Sequence, residues 1–193
     1  MRKILLGSCL IFIILCIGAF IVWLWPRLLP PSNRMIEINI NKLLVNVDDF
    51  PSGWKANGPP GPVREDELDW GEKNVFIVFH SIDDQDVAYQ YVYKFRNEVA
   101  AEYGLFWIKK EGLLTPPMNA VEPMGWKYKS LSADEWLFGC STGNVCTSLA
   151  RYDEFIIIFT ASINSDYMTF NDLEYLFKVM DGKIGKYLDH DYK

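Results

Sequence analysis

The segment Asn74–Phe95, "NVFIVFHSIDDQDVAYQYVYKF", contains two predicted strands and the turn between them. Residues 74–82 are almost continuously apolar, which is typical of a strand covered on both faces. Residues 87–95 alternate, so one set of side chains shares a face. These side chains are aromatic: Tyr89, Tyr91, Tyr93 and Phe95. Asp83–Asp86 joins the strands as a hairpin turn.

A helix is predicted after this hairpin. Asn97 can cap it, Gly112 ends it, and an apolar stripe would face the sheet. The stripe consists of Ala100, Tyr103, Phe106 and Trp107. Four further strands follow at hairpin spacing: Trp126–Leu131, Glu135–Cys140, Val145–Tyr152 and Phe155–Ile163.

A closing helix is predicted over 171–188, because its apolar residues recur at helical spacing. They are Leu173, Leu176, Phe177, Met180, Ile184 and Leu188. Short connections between strands imply antiparallel pairing, and amphipathic helices must cover the sheet. The predicted fold is therefore α+β: strands, helix, four strands and helix, preceded by a single transmembrane helix.

The amino-terminal run Ile4–Trp25 has no charged residue in 22 positions. As a helix it would extend for about 33 Å, enough to cross a bilayer. A cleaved signal peptide and a lipidated Cys9 are the alternatives to an uncleaved anchor. We expect an amino terminus and anchor over 1–25, a proline-rich stalk over 26–36 and one domain over 37–193. The membrane would then be a partner through residues 4–25.

The charge of the chain excludes one class of partner. Residues 35–193 hold 15 basic and 25 acidic residues, a net charge of −10. Such a surface repels polyanions, so we expect no nucleic-acid partner.

Cys140 and Cys146 flank a turn-forming run, "STGNV". Their C-x5-C spacing suits neither a zinc site nor a thioredoxin-type pair. A disulfide across a β-hairpin fits, with two free facing thiols as the alternative. Because disulfides persist in oxidising compartments, the pair predicts a domain outside the cytosol, periplasmic or extracellular, with a cytosolic amino terminus.

The sequence contains no recognisable catalytic motif. The chain has two histidines, and His80 lies within an apolar strand, where a structural role is the commoner one. No nucleophile elbow, zinc-protease, Walker or dinucleotide-binding motif occurs. We expect no catalytic residue, no metal and no cofactor, although carboxylates paired only in space are invisible in a sequence.

Two clusters are candidate binding residues. The loop at 64–72 contains five carboxylates that could hold a cation or a basic partner, or could simply be solvated. They are Glu65, Asp66, Glu67, Asp69 and Glu72. The row Tyr89, Tyr91 and Tyr93 is either core under a helix or, if uncovered, a platform for a ligand, peptide or glycan.

A short turn carries a resemblance to a known family. Pro51-Ser52-Gly53-Trp54 opens the domain and is followed by a strand and helix, a meander and a closing helix. This order over 48–188 resembles extracytoplasmic domains of the PsbP/Mog1-like fold. The resemblance implies an accessory or assembly factor, or a lipoprotein domain, and transfers no catalytic residue.

Three functions follow from these patterns. The first is a membrane-anchored, non-catalytic binding or accessory module with a protein or small-molecule partner. The second is a cell-envelope hydrolase that uses two facing carboxylates. The third is a structural subunit that acts through its membrane helix. The anchor, the acidity and the lack of catalytic motifs favour the first.

Overall fold

The computed structural model describes the chain in the following parts: residues 13–18, 20, 21, 24, 29–31, 39–63, 71–111, 123, 125–141, 144–164 and 166–190. Within these parts the fold is α+β, with one six-stranded antiparallel sheet. The strands are β1 (Trp54–Ala56), β2 (Lys73–Ser81), β3 (Val87–Lys94), β4 (Glu135–Cys140), β5 (Val145–Tyr152) and β6 (Phe155–Ser162). The helices are α1 (Glu98–Glu111) and α2 (Phe170–His190), and two short 3-10 helices span Ile40–Leu43 and Val47–Asp49.

The strand order is β1-β2-β3-β6-β5-β4. The β2–β3 hairpin has the predicted turn, with Asp84 at φ 58°. Phe76 pairs with Tyr91 in its register, and Tyr91 in turn pairs with Ile158 of β6. The central strands β3 and β6 are therefore paired on both sides, and β1 and β4 form the two edges.

The helices cover opposite faces of the sheet. The first face carries a buried cluster that includes Ile77, Phe79, Ile157 and Phe159, and α2 packs on it. The buried stripe of α2 is the predicted one: Leu173, Leu176, Phe177, Met180 and Ile184. Leu188 packs against the same cluster while partly exposed.

The second face is covered by α1. Ala101, Leu105 and Ile108 of this helix share a buried cluster with Tyr93 and Ile156. The helix is shorter and lies over the part of the sheet formed by β6 and β5. Each layer of helix thus has its own core, and the sheet separates them.

A buried glutamine fastens the segment before β1 to the first face. Gln90 lies in β3 and is fully buried. Its Oε1 accepts a hydrogen bond from the Val45 amide at 2.8 Å, and its Nε2 donates to the Leu43 carbonyl at 3.2 Å. The amide satisfies two backbone groups that would otherwise be buried without a partner.

The two edge regions differ from the prediction. β1 was missed, because Trp54 was assigned to a turn; the chain instead turns at Gly53, where φ is +93°, and then pairs with β2. The predicted strand Trp126–Leu131 is wrong, because those residues form no strand. They do alternate between half-buried and exposed side chains. Alternating apolar and polar residues indicate that one side of a segment is covered by the protein. This coverage does not require pairing with another strand.

Cys140 and Cys146 form the predicted disulfide. They are opposite each other in the register of β4 and β5, with their Cα atoms 4.0 Å apart. Cys146 is fully buried in the cluster beneath α2. The pair therefore links the edge strand to its neighbour.

The predicted membrane anchor needs correction. Within the part of the chain that the structure describes, no helix combines the length and the apolar character needed to cross a bilayer. A span needs about 20 consecutive apolar residues in one helix. In the predicted anchor, the described residues 13–18, 20, 21 and 24 are helical, and the rest of 4–25 lies outside the described residues. The single-pass membrane localisation is not supported. The predicted stalk at 26–36 is described only at 29–31.

Candidate functional site

The amino-terminal end of α1 is fixed by Asn97. The Ala100 amide donates to its side-chain oxygen at 2.9 Å, which satisfies one of the free donors of the first turn. The Asn97 side-chain amide donates in turn to the Pro30 carbonyl at 3.0 Å. The predicted cap is therefore confirmed, and it also holds the described part of the proline-rich segment.

The inner side of α1 consists of small and aliphatic residues. Ala101, Leu105 and Ile108 are buried. Gly104 lies on the same side, so close to Phe95 that a Cβ atom would be 2.6 Å from the Phe95 ring. The absence of a side chain at Gly104 lets α1 approach the sheet closely.

The outer side of α1 is also apolar. Phe106 is 55% exposed and Val99 is 40% exposed, while Tyr103 and Trp107 are half-buried. The Trp107 ring packs edge-on against Tyr103 and Phe106, with centroids 6.0 and 5.7 Å apart. We call Val99, Tyr103, Phe106 and Trp107 the outer aromatic face.

This arrangement corrects the predicted stripe of α1. The prediction directed Tyr103, Phe106 and Trp107 towards the sheet, whereas Phe106 points into solvent. The large aromatics dominate the hydrophobicity of the helix, so a single-stripe interpretation chose them. A second stripe of smaller residues at spacings of three and four, which contains Ala101, Leu105 and Ile108, was the signal that was missed.

α1 begins and ends with a glutamate, Glu98 and Glu111, and carries two lysines in its last turn. Glu98 and Glu102 occupy its first half, and Lys109 and Lys110 its last turn. Lys109 forms an ion pair with Glu135 of β4. Burial lowers the pKa of Lys109, and the nearby charge of Arg151 lowers it further. The Lys110 ammonium lies 4.5 Å from the centroid of the Trp107 ring, within cation–π distance.

Three carboxylates meet beside the start of α1. Oxygen atoms of Glu98, Asp134 and Asp153 lie within 4.8 Å of one another. The Arg151 guanidinium is 3.4 Å from Glu98 and 3.2 Å from Asp134. A cation would have to compete with this guanidinium, so the group is better described as an ion-pair network that ties α1 to β5.

Asp181 of α2 is the centre of a second polar network. It accepts hydrogen bonds from Ser130 Oγ, from the Tyr152 hydroxyl at 3.1 Å and from the Leu131 amide at 3.3 Å. Burial and the Asp181 charge raise the pKa of Tyr128, and burial does the same for Tyr152. These contacts fasten the segment before β4 to the helix, which explains why that segment pairs with no strand.

The oxygen of Ser130 is occupied by structural contacts. It donates to Asp181 and accepts from the amides of Ser132 and Ala133, at 3.3 and 2.9 Å. A serine nucleophile needs a base that takes its proton, usually a histidine. In the described structure, the Ser130 hydroxyl instead stabilises the turn at residues 130–133 and connects this turn to Asp181 of α2.

The tyrosine row is divided between core and surface. Tyr93 is buried beneath α1. Tyr89 and Tyr91 are half-buried, and their rings pack edge-on with centroids 5.5 Å apart. Tyr91 also stacks on Phe76 at 5.8 Å. Tyr93 is therefore a core residue, and a platform could include only the other two tyrosines.

The remaining candidates lie apart from α1. Glu72 is exposed, and the other four acids of the predicted loop, Glu65, Asp66, Glu67 and Asp69, lie outside the described residues. His80 is half-buried on β2, with its Nε2 3.2 Å from the Asn57 side-chain nitrogen. Among the described residues, neither His80 nor Glu72 contacts α1.

No protein-family model, curated protein or solved structure matches this chain. The likeness to PsbP/Mog1-like domains stays a prediction from element order and from the turn at Pro51–Trp54. The function must therefore be inferred from the geometry of the described residues alone. On α1, whose other side is fixed against the sheet, the outer aromatic face groups the exposed Phe106 and Val99 with the half-buried Tyr103 and Trp107.

Proposed function

We propose that this protein is a non-catalytic binding module that holds a protein partner through the outer aromatic face of α1. The observation that carries the proposal is the exposure of Phe106 and Val99 beside Tyr103 and Trp107 on a helix whose other side already forms a core. Contiguous exposed apolar patches usually mark interaction sites, whereas isolated exposed apolar residues do not.

The chemistry of the face favours a protein partner. Tryptophan, tyrosine and phenylalanine are enriched at the centres of protein interfaces, where a few aromatic anchors contribute most of the binding energy. The net charge of −10 over residues 35–193 opposes a polyanionic partner. Because α1 is capped by Asn97 and tied to the sheet through Arg151, the face is presented on a rigid support.

The test is site-specific photo-cross-linking of the full chain in cells. The benzophenone amino acid p-benzoylphenylalanine replaces Phe106 in one sample and Tyr175 of α2 in the other. Tyr175 is a matched control, since it is also an aromatic residue on a helix and is also 55% exposed. We expect an adduct of discrete mass from position 106 and none from position 175. Equal labelling at both positions, or no adduct at 106, would contradict the proposal.

A further inference from the structure

Glu102 and Lys110 carry opposite charges and lie four residues to either side of Phe106, an arrangement that suits a contact between two identical antiparallel helices. We propose that its occupant is a second copy of this chain, with the two α1 helices packed antiparallel about a two-fold axis. This inference depends on the proposed function, because it identifies the partner of the same face. The chemistry is an aromatic contact flanked by ion pairs.

The positions of the side chains around α1 determine which of them would meet in such a contact. At 100° per residue, Val99, Phe106 and Lys110 lie nearly in one line along the outward side of the helix. Trp107 flanks this line on one side and Glu102 on the other. A two-fold axis perpendicular to two antiparallel helices brings like flanks together. The aromatic flank would then meet the aromatic flank, and the charged flank the charged flank.

The distribution of charge along α1 favours an antiparallel over a parallel arrangement of the two helices. Glu98 and Glu102 lie in its first half, and Lys109 and Lys110 lie in its last turn, which ends at Glu111. An antiparallel arrangement therefore places Glu102 of one copy beside Lys109 and Lys110 of the other, and does so twice. A parallel arrangement would place like charges together and would align the two helix dipoles unfavourably.

The groups needed for this contact are accessible. Glu102 and Lys110 are exposed, and neither forms an ion pair with another of the described residues. The Lys110 ammonium lies over the Trp107 ring, about one helical turn beyond Phe106. Phe106 would pack against its own copy close to the axis, where aromatic hot spots are usually found.

The test uses the purified full chain with p-benzoylphenylalanine at position 106. We expect an adduct of twice the chain mass of 22.3 kDa. Charge reversals then decide whether the contact is antiparallel. We expect Glu102→Lys or Lys110→Glu alone to lower the adduct yield about fivefold at protein concentrations below saturation, because each change disrupts two rim ion pairs. The double variant Glu102→Lys/Lys110→Glu should restore it.

The controls separate this inference from the proposed function. The same reversals in a chain that carries the photo-reactive residue at position 175 should give no dimer adduct. Far-UV circular dichroism of each variant shows whether the helix content of the chain is unchanged. Failure of the double variant to recover, or no adduct of twice the chain mass, overturns the second-copy assignment. An adduct of another mass in cells would then still support the binding module, whereas no adduct in either setting would overturn both proposals.

Discussion

Gln90 provides the sharpest test of how the fold is held together. Its side chain is fully buried, and it binds the Val45 amide and the Leu43 carbonyl. We expect the substitution Gln90→Leu to destabilise the protein by about 2–3 kcal/mol. Leucine nearly fills the same volume, so the loss would come from hydrogen bonding and not from a cavity.

The magnitude follows from two opposing effects. Two backbone groups lose their partner, at a cost of about 1–3 kcal/mol each. Burying a leucine in place of an amide offsets about 1–2 kcal/mol of this total, since apolar burial is favourable. The two unpaired groups together cost about 4 kcal/mol at the middle of this range. Subtracting the offset leaves a net loss of about 2–3 kcal/mol in the free energy of unfolding.

Urea denaturation followed by tryptophan fluorescence gives the free energy of unfolding, and the chain contains seven tryptophans as probes. Gln85→Leu is the matched control, because Gln85 is exposed in the hairpin turn and should change stability by less than about 0.5 kcal/mol. Amide exchange should also accelerate at Val45 in Gln90→Leu. A loss below about 0.5 kcal/mol in Gln90→Leu would refute this account of the buried amide.

Two further changes test other contacts. The double variant Cys140→Ser/Cys146→Ser should lower the free energy of unfolding by about 2 kcal/mol, because the disulfide closes a short loop with a sequence separation of 6; a loss above about 5 kcal/mol in urea denaturation would contradict this. Gly104→Ala should lower the melting temperature despite the higher helix propensity of alanine, because the added Cβ would overlap the buried Phe95 ring; an unchanged or raised value would show that the ring can move.

The central sheet was predictable because its strands are long and apolar. The predicted bounds of β4 and β5 are those of the structure, β3 and β6 each end one residue earlier than predicted, and β2 is shifted by one residue. Each of these strands is bounded by turn-forming residues, and all but the largely half-buried β4 have a buried face, so the apolar pattern of the sequence reflects burial in the structure. The disulfide was predictable as well, because the sequence already indicated the β4–β5 hairpin that brings Cys140 and Cys146 together.

The edges of the sheet were not predictable from local pattern. β1 has only three residues, and pairing with β2 decides its conformation. The segment Trp126–Leu131 has the alternation of a strand, yet it packs against α2 and binds Asp181 instead. Both results depend on contacts that are distant in the sequence, such as the contact between Ser130 and Asp181, which are separated by 51 positions.

The candidate site was not predicted from the sequence, because the aromatic residues of α1 were assigned to the side of the helix that faces the sheet. The aromatic residues of α1 were singled out, and their spacing gave a helical stripe. Which stripe faces the sheet depends on the distance between helix and sheet, and here Gly104 against Phe95 sets that distance. A sequence pattern does not contain this distance, so it favoured the larger side chains for the core.

The two apolar sides of α1 are linked by one physical cause. Small residues on the inner side bring the helix close to the sheet, so Ala101, Leu105 and Ile108 complete the core without the aromatics. Leaving a large apolar side chain in water forgoes about 1.5–3 kcal/mol relative to burying it. A lone exposed residue is common, but Phe106 and Val99 occupy one side of the same helix as Tyr103 and Trp107. Burial of that side by a partner would recover this free energy. The outer aromatic face, and not the ion-pair networks beside it, is therefore the surface that favours binding.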